Sequence, residues 1–198
     1  MKTMKKVMLT IMMVMISTLV IANDNRPTVK VENVEAKTIG VIAYGLGEVK
    51  TDIQLINNNG KVFYRETVKS GENFAKKLEL AAIPAGEYTL EVDNSESFTA
   101  IPVVLDADSA IANVADQVTI VKPKLALNGD KLNVFFTDNV TNEIWVSIYD
   151  ASSNRLAYEK LSADKLKRFD LSKLERGEYT IHMFAGGKKF VQSLSLDK

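Results

Sequence analysis

The 198-residue chain carries 25 basic and 25 acidic residues and contains no cysteine. This balance excludes the clustered cationic surface that nucleic-acid binding or a polybasic membrane patch needs, so no nucleic-acid partner is expected. The lack of cysteine excludes a disulfide-stapled scaffold and a bacterial lipoprotein, so the fold depends on packing alone.

The first 22 residues have the layout of a secretory signal peptide. Lys2, Lys5 and Lys6 form a basic start, and an almost unbroken apolar run follows over residues 7–22. We expect cleavage after Ala22, which leaves 176 residues with 22 basic and 25 acidic side chains. Retention as a membrane anchor is the alternative, but the run is shorter than the ~20 residues that span a bilayer. We therefore predict an exported protein, periplasmic or extracellular, without stable membrane insertion after cleavage.

The chain contains an internal repeat. Residues 78–92 and 169–183 share their apolar positions and an identical Gly-Glu-Tyr-Thr. The match extends upstream, with one residue inserted in the second turn, and pairs 53–57 with 146–150 and 62–64 with 156–158. One duplicated domain explains this pattern.

The repeat predicts three segments after the signal peptide. The first domain spans residues 27–105 and the second spans residues 118–198, each of a size typical for a small domain. Residues 106–117 are rich in alanine and acidic side chains and do not alternate like a strand, so we predict a linker there.

Apolar and polar residues alternate over short runs in both copies. Leu132, Val134 and Phe136 are expected to point inward while their neighbours point outward, as in a strand with one buried face. Asn-Gly and Gly-Gly pairs at 59–60, 128–129 and 186–187 supply tight turns between the runs. The predicted fold class is all-β, with two tandem immunoglobulin-like β-sandwich domains of seven or eight strands each.

Two matching segments, residues 83–88 and 174–179, each place a glycine two residues before a tyrosine that opens a strand. This arrangement is similar to the tyrosine corner of sandwich domains, in which the hydroxyl bonds to nearby backbone. We expect Tyr88 and Tyr179 to have this structural role.

The order of strands, turns and corners resembles small exported sandwich domains of Bacteroidetes and the C-terminal sorting domains of the Por (type IX) secretion system. Residues 186–190 and 194–198 look like the tail of such a domain. The resemblance implies a sandwich fold and a possible sorting role. The chain departs from that pattern because the same domain also occurs as the first copy, with no separate cargo enzyme ahead of it.

Catalytic and metal-binding residues are scarce. His182 is the single histidine, and its alternation with apolar neighbours predicts a surface position. No Ser/His/Asp motif is present, and zinc sites of the His/Cys kind are excluded by count. The acidic pairs at 106 and 108 and at 93 and 96 could supply oxygen ligands to a calcium ion, so a calcium site is left open as an alternative. An ordinary role in turns explains these residues better. We predict no catalytic residue, no metal and no cofactor.

An aromatic group is the candidate for function. If the runs at 131–137 and 143–150 pair as a hairpin, Phe135, Trp145 and Tyr149 share the face away from the core. Such a face is either the seam between the two domains, a surface for a partner or glycan, or scattered exposure.

The composition therefore favours a non-catalytic exported protein that binds or scaffolds in the cell envelope or outside the cell. Its partner is expected to be an envelope protein or a glycan. The alternative is a secretion-system cargo or accessory protein whose C-terminal domain serves as a sorting or surface-attachment signal. An enzyme with an unrecognised site is the third and weakest hypothesis.

Overall fold

The computed structural model describes residues 27–136, 144–161 and 166–197. These ranges form sixteen strands and one short 3₁₀ helix, which confirms the all-β prediction. The predicted signal peptide at 1–22 lies outside the described residues. Within the described ranges, no helix is long and apolar enough to cross a membrane.

The first half of the chain forms two antiparallel sheets. Sheet I has the order β1-β2-β5 and contains β1 (Thr28–Glu35), β2 (Thr38–Tyr44) and β5 (Phe74–Glu79). Sheet II has the order β4-β3-β6-β7-β8, with β9 also paired to β7. It contains β3 (Thr51–Asn57), β4 (Val62–Val68), β6 (Gly86–Asn94), β7 (Ser97–Leu105), β8 (Ala110–Ala112) and β9 (Val118–Val121).

The second half repeats this topology. Sheet III has the order β10-β11-β14 and contains β10 (Lys124–Asn128), β11 (Lys131–Phe135) and β14 (Leu166–Asp170). Sheet IV has the order β13-β12-β15-β16 and contains β12 (Ile144–Tyr149), β13 (Arg155–Leu161), β15 (Gly177–Ala185) and β16 (Lys188–Leu196). The equivalent strand order in both halves agrees with the duplication read from the sequence.

Each half encloses its own apolar core between its two sheets. Alternate residues of the strands fill these cores, as the sequence pattern predicted. The first core includes fully buried Val41 and Leu55, and the second includes fully buried Leu132 and Ile181. Apart from Phe98 and Ala100 of β7, which pack into the second core, the side chains on the opposite faces of sheets II and IV are therefore not needed to fill a core.

Both predicted tyrosine corners are present. The Tyr88 hydroxyl donates to the Pro84 carbonyl oxygen at 2.7 Å, and the Tyr179 hydroxyl donates to the Glu175 carbonyl oxygen at 2.8 Å. Both rings are buried, so each hydroxyl satisfies a polar group that would otherwise be costly inside the sandwich.

The turns between β3 and β4 and between β12 and β13 have the same structure. Asn57 Oδ1 accepts from the backbone of residues 59 and 61, and Asp150 Oδ1 accepts from the backbone of residues 152 and 154. The predicted insertion in the second turn is therefore wrong. Gln54 of β3 pairs with Arg65 of β4, and its counterpart Ser147 of β12 pairs with Tyr158 of β13. In the corrected alignment of the two copies, Tyr158 therefore takes the position of Arg65.

This corrected alignment places Gly60 and Ser153 at the same point of the turn, with φ of 76° and 64°. A side chain makes this left-handed backbone unfavourable, whereas glycine adopts it readily. A Cβ at Gly60 would meet nothing within 4 Å, so the cost there is conformational only.

Exchange of these two residues is expected to have opposite effects on stability. Gly60→Ser should lower the free energy of unfolding by about 1 kcal/mol, and Ser153→Gly should raise it by a few tenths to about 1 kcal/mol. Urea unfolding of both variants measures the difference. A stabilising Gly60→Ser or a destabilising Ser153→Gly would contradict the shared turn.

The outer edge of β7 holds the segment that connects the two halves. Residues 103–105 pair with β8, and residues 97–100 pair with β9. The predicted linker at 106–117 thus contains β8 and the 3₁₀ helix Val114–Asp116, and its Ala110 is buried in the first core. The division into two domains stays a prediction, but the connection between them is hydrogen-bonded to the first sandwich.

Phe98 of β7 joins the two halves. Its side chain leaves the outer face of sheet II and is buried in the second core with Ile120 and Phe190. Gly186 packs directly against Ile120 in this contact, because a Cβ at position 186 would lie only 2.9 Å from the Ile120 side chain. The strand that ends the first sandwich therefore also supplies an apolar anchor to the second.

Phe98→Ala should lower the free energy of unfolding by about 3 kcal/mol, since a buried aromatic side chain is removed. Because the contact joins two cores, calorimetry is expected to show the single transition separating into two. Val104→Ala, on the exposed part of the same strand face, is the control and should change little. A Phe98→Ala protein with unchanged melting behaviour would contradict this role.

Candidate functional site

The three aromatic residues predicted to share a face lie on two different sheets. Phe135 is on β11 of sheet III, where it pairs with Lys124 and Leu166. Trp145 and Tyr149 are on β12 of sheet IV. The predicted hairpin of β11 with β12 is wrong, because the chain crosses from one sheet of the sandwich to the other between these strands.

Sheet IV instead groups Trp145 and Tyr149 with other rings on its outer face. We call this group the aromatic surface, and its members are Trp145, Tyr149, Tyr158, His182 and Phe184.

The rings of this surface contact one another in two groups, one around Trp145 and one formed by Tyr149 and His182. Trp145 stacks on Phe184 with ring centroids 5.3 Å apart and planes 3° apart, and lies 6.1 Å from Tyr158. Tyr149 lies 4.4 Å from the His182 ring. Such pairs contribute roughly 0.5–1.5 kcal/mol beyond their buried area, so the rings hold one another in place.

The aromatic surface is partly open to solvent. Ser147, on the same face of β12, is only 1% exposed. At the edge of the sheet, however, Tyr158 is 52% exposed and Val191 is 55% exposed. Large apolar groups thus stay in contact with water at this face, a feature typical of surfaces that bind.

The described apolar contact between the two halves involves other residues. Phe98, Ile120 and Phe190 form the shared apolar cluster, whereas the ring contacts of Trp145 and Tyr149 are within sheet IV. The interpretation of the predicted aromatic group as the domain seam stays a prediction. The interpretation as a partner or glycan surface stays a prediction for Trp145 and Tyr149.

The equivalent face of sheet II is polar at positions 52, 54, 65 and 67, although Ile56 takes the position of Tyr149 and Val104 of β7 is exposed on this face. Gln54 Nε2 donates to Glu91 Oε2 at 2.7 Å, and Arg65 Nη2 donates to Gln54 Oε1 at 2.8 Å. Thr67 Oγ1 donates to Asp52 Oδ1 at 2.6 Å. Asp52 and Arg65 occupy the positions that Trp145 and Tyr158 hold in the second copy. The same backbone therefore supports a hydrogen-bonded ladder in one copy and the aromatic surface in the other.

Cations border the aromatic surface. The Arg155 guanidinium lies over the Tyr158 ring at 5.3 Å from its centroid, a cation–π contact. Lys189 is paired with Phe184 across β15 and β16. Burial lowers the pKa of His182 below its usual 6.5, and the Lys189 ammonium lowers it further. The histidine is therefore neutral at pH 7.

A pocket of about 340 Å³ lies where sheet IV meets the first half of the chain. We call it the seam pocket; it is lined by Asp93, Ser95, Lys122, Lys188, Lys189, Phe190, Val191 and Gln192. The buried Asp93 Oδ1 lies 2.6 Å from Lys122 Nζ, an ion pair whose two atoms are not in hydrogen-bonding geometry. Lys188 Nζ lies 3.7 Å from Glu91 Oε1.

Sequence reasoning missed Tyr158, Phe184 and the seam pocket. The alternation of β15 did place Phe184 and His182 on one face, a signal that could have been read. The position of Tyr158 was obscured by the insertion assumed in the preceding turn. The pocket combines β6, the residue after β9 and β16, which are far apart in sequence.

Of the acidic pairs considered for calcium, the one at 106 and 108 forms a turn, whereas Asp93 of the other pair lies in β6 and pairs with Lys122. Asp106 Oδ1 accepts from the backbone of Asp108 and Ser109, and Ser109 Oγ donates to Asp106 Oδ2. These hydrogen bonds lower the pKa of the Asp106 carboxyl. In the part of the chain that the structure describes, no three His, Cys, Asp or Glu side chains are grouped so as to hold a metal ion.

The environment of His182 predicts its titration. Because it is the single histidine, proton NMR follows it directly. Its pKa should lie below 6.5, and Lys189→Gln should raise it, whereas Lys77→Gln on sheet I should leave it unchanged. Because the pKa of His182 is lower in the folded protein than in the unfolded chain, its neutral form favours the folded state above about pH 6.5. This contribution to stability is lost as pH falls below that value. An unchanged pKa in Lys189→Gln would contradict the contact.

Comparisons with known proteins concern the fold. No protein-family model and no curated protein matches the sequence. The chain is similar to a biofilm-associated protein BSP domain (19% identity, TM-score 0.30), with 86% of this chain and 29% of that chain covered, so it spans less than a third of that structure. It is also similar to a two-domain fibronectin type III segment of chicken tenascin, with 9% identity, a TM-score of 0.32, and 86% of this chain and 99% of that chain covered. A third similar structure is that of domains 3 and 4 of rat CD4, with 10% identity, a TM-score of 0.33, and 82% of this chain and 96% of that chain covered. The described strands by themselves give the chain an all-β fold in which each half is a two-sheet antiparallel sandwich, and the likeness to Por sorting domains stays a resemblance.

Proposed function

We propose that this protein is a non-catalytic exported module that binds a partner in the cell envelope or outside the cell through the aromatic surface of sheet IV. The sandwich fold is compatible with a binding or scaffolding role. Export rests on the signal-peptide pattern of residues 1–22, and an envelope protein or glycan is the expected partner class.

The observation that carries this proposal is the difference between the two equivalent outer faces. Asp52 and Arg65 make polar contacts in the first copy, whereas Trp145 and Tyr158 expose apolar area in the second. Folding does not require the rings, because both copies form the same sandwich and neither Trp145 nor Tyr158 belongs to a buried core cluster. An aromatic face that the fold does not need is best explained by binding.

The energetics of recognition agree with this location. Tryptophan and tyrosine are enriched among the residues that dominate binding energy, because they bury large areas with few rotatable bonds. The contacts of Trp145 with Phe184 and of Tyr149 with His182 limit ring motion before a partner binds. Less conformational freedom is then lost on association.

Paired substitutions test the proposal. The double variant Trp145→Ala, Tyr158→Ser removes two rings of the aromatic surface, and Asp52→Ala, Arg65→Ser changes the equivalent positions of the first copy. We expect the native protein and the Asp52/Arg65 variant to retain the same specific envelope component on an affinity column. The Trp145/Tyr158 variant should lose at least tenfold in affinity, since each such ring contributes roughly 1–2 kcal/mol or more.

Circular dichroism and melting temperature of both variants show whether the fold is kept. Equal retention by all three proteins would contradict a binding role for the aromatic surface. Failure of the native protein to retain any specific component would count against the whole proposal.

A further inference from the structure

The seam pocket continues the aromatic surface toward the first half of the chain. Lys189 pairs with Phe184, and Val191 pairs with His182, while both Lys189 and Val191 also line the pocket. A ligand that lies on the rings can therefore place a substituent in the pocket without leaving the surface. The pocket volume of about 340 Å³ is at the small end of the range for ligand sites.

The charge of the pocket favours an anion. Three ammonium groups, those of Lys122, Lys188 and Lys189, face two carboxylates, those of Asp93 and Glu91. Among the described residues, Lys189 has no ion-pair partner. Burial is the main cause that lowers the pKa of Lys188, and the charge of Lys122 lowers it further, while Glu91 and Asp93 act in the opposite direction. A bound anion would place a further opposite charge beside the partly buried Lys188 ammonium.

The remaining lining groups suit a polyhydroxylated ligand. The Ser95 hydroxyl and the Gln192 amide both line the pocket and can donate or accept hydrogen bonds. The Gln192 amide donates to the Pro123 carbonyl oxygen at 3.4 Å, so the connecting chain lies beside the free edge of β16. Addition of a peptide strand at this edge is thereby obstructed.

We infer that the seam pocket holds the carboxylate of an acidic glycan whose sugar rings lie against the aromatic surface. The inference rests on the proposed function and adds the ligand class. The apolar C–H face of a sugar ring packs on aromatic rings, its hydroxyls reach Ser95 and Gln192, and its carboxylate pairs with Lys189 and Lys188. The first half of the chain contributes Ser95 and the connection contributes Lys122, so the site is formed by both repeats.

Calorimetry and the fluorescence of Trp145, the single tryptophan, test this inference with the full chain. The probes are an oligogalacturonate of four to six sugars, the same oligosaccharide with its carboxyl groups reduced, and a glutamate peptide of equal charge. We expect the oligogalacturonate to bind, and both the reduced oligosaccharide and the peptide to bind at least tenfold more weakly. Added salt should weaken the binding, since an ion pair is screened.

Matched variants locate the site. Lys188→Gln and Lys189→Gln together should lower oligogalacturonate affinity by roughly tenfold or more, because charge-assisted contacts are lost. Lys77→Gln, on the opposite side of the first sandwich, should leave it unchanged. Trp145→Ala should weaken both oligosaccharides alike.

Absence of oligogalacturonate binding, or equal binding of the charged and reduced oligosaccharides, would overturn the inference. Tighter binding of the glutamate peptide would also overturn it and would indicate a protein partner. If a partner depends on Trp145 but not on Lys188 and Lys189, the proposed function stands and the acidic glycan does not. If no ligand depends on Trp145, the proposed function fails as well.

Discussion

The structure depends on hydrogen bonding at both edges of β7. One edge pairs with β6 inside the first sandwich, and the other is covered by β8 and β9, which belong to the connecting chain. An open strand edge would leave backbone donors and acceptors unpaired and prone to association, so the connection protects the sheet while it links the two halves. Phe98 adds apolar packing to this backbone pairing, because its ring is buried in the second core with Ile120 and Phe190.

This arrangement determines what the second sandwich can present. Pairing of β9 with β7 brings Lys122 to Asp93, and the turn at Gly186 sets β16 against the first half so that Lys188 reaches Glu91. The seam pocket results from these contacts between sheet IV and the first half of the chain. In contrast, the aromatic surface is made by sheet IV alone, which means that ring stacking and charge recognition have separate structural origins.

Comparison of the two copies shows which positions the sandwich fold constrains and which positions are free to differ. Tyr88 and Tyr179 form the same corner, and Asn57 and Asp150 hold the same turn, because these interactions stabilise the sandwich itself. The outer-face positions that hold Trp145 and Tyr158 carry no such constraint. They differ between the copies, and that divergence is the main physical support for a role of sheet IV in recognition.

Local patterns in the sequence were sufficient to predict the fold class, the repeated strands, both tyrosine corners and the outward position of His182. Each follows from period-two alternation or from a short motif, and such signals act over neighbouring residues. The location of Phe135 and the partners of Trp145 were not predictable in this way, because the order of strands within a sheet depends on contacts between distant segments. The tertiary structure alone decided that β11 and β12 belong to different sheets and that the connection forms β8 and β9. It also decided that lysines from the connection and from β16 meet at one pocket, since charges far apart in sequence become neighbours only when β7 binds the connecting chain.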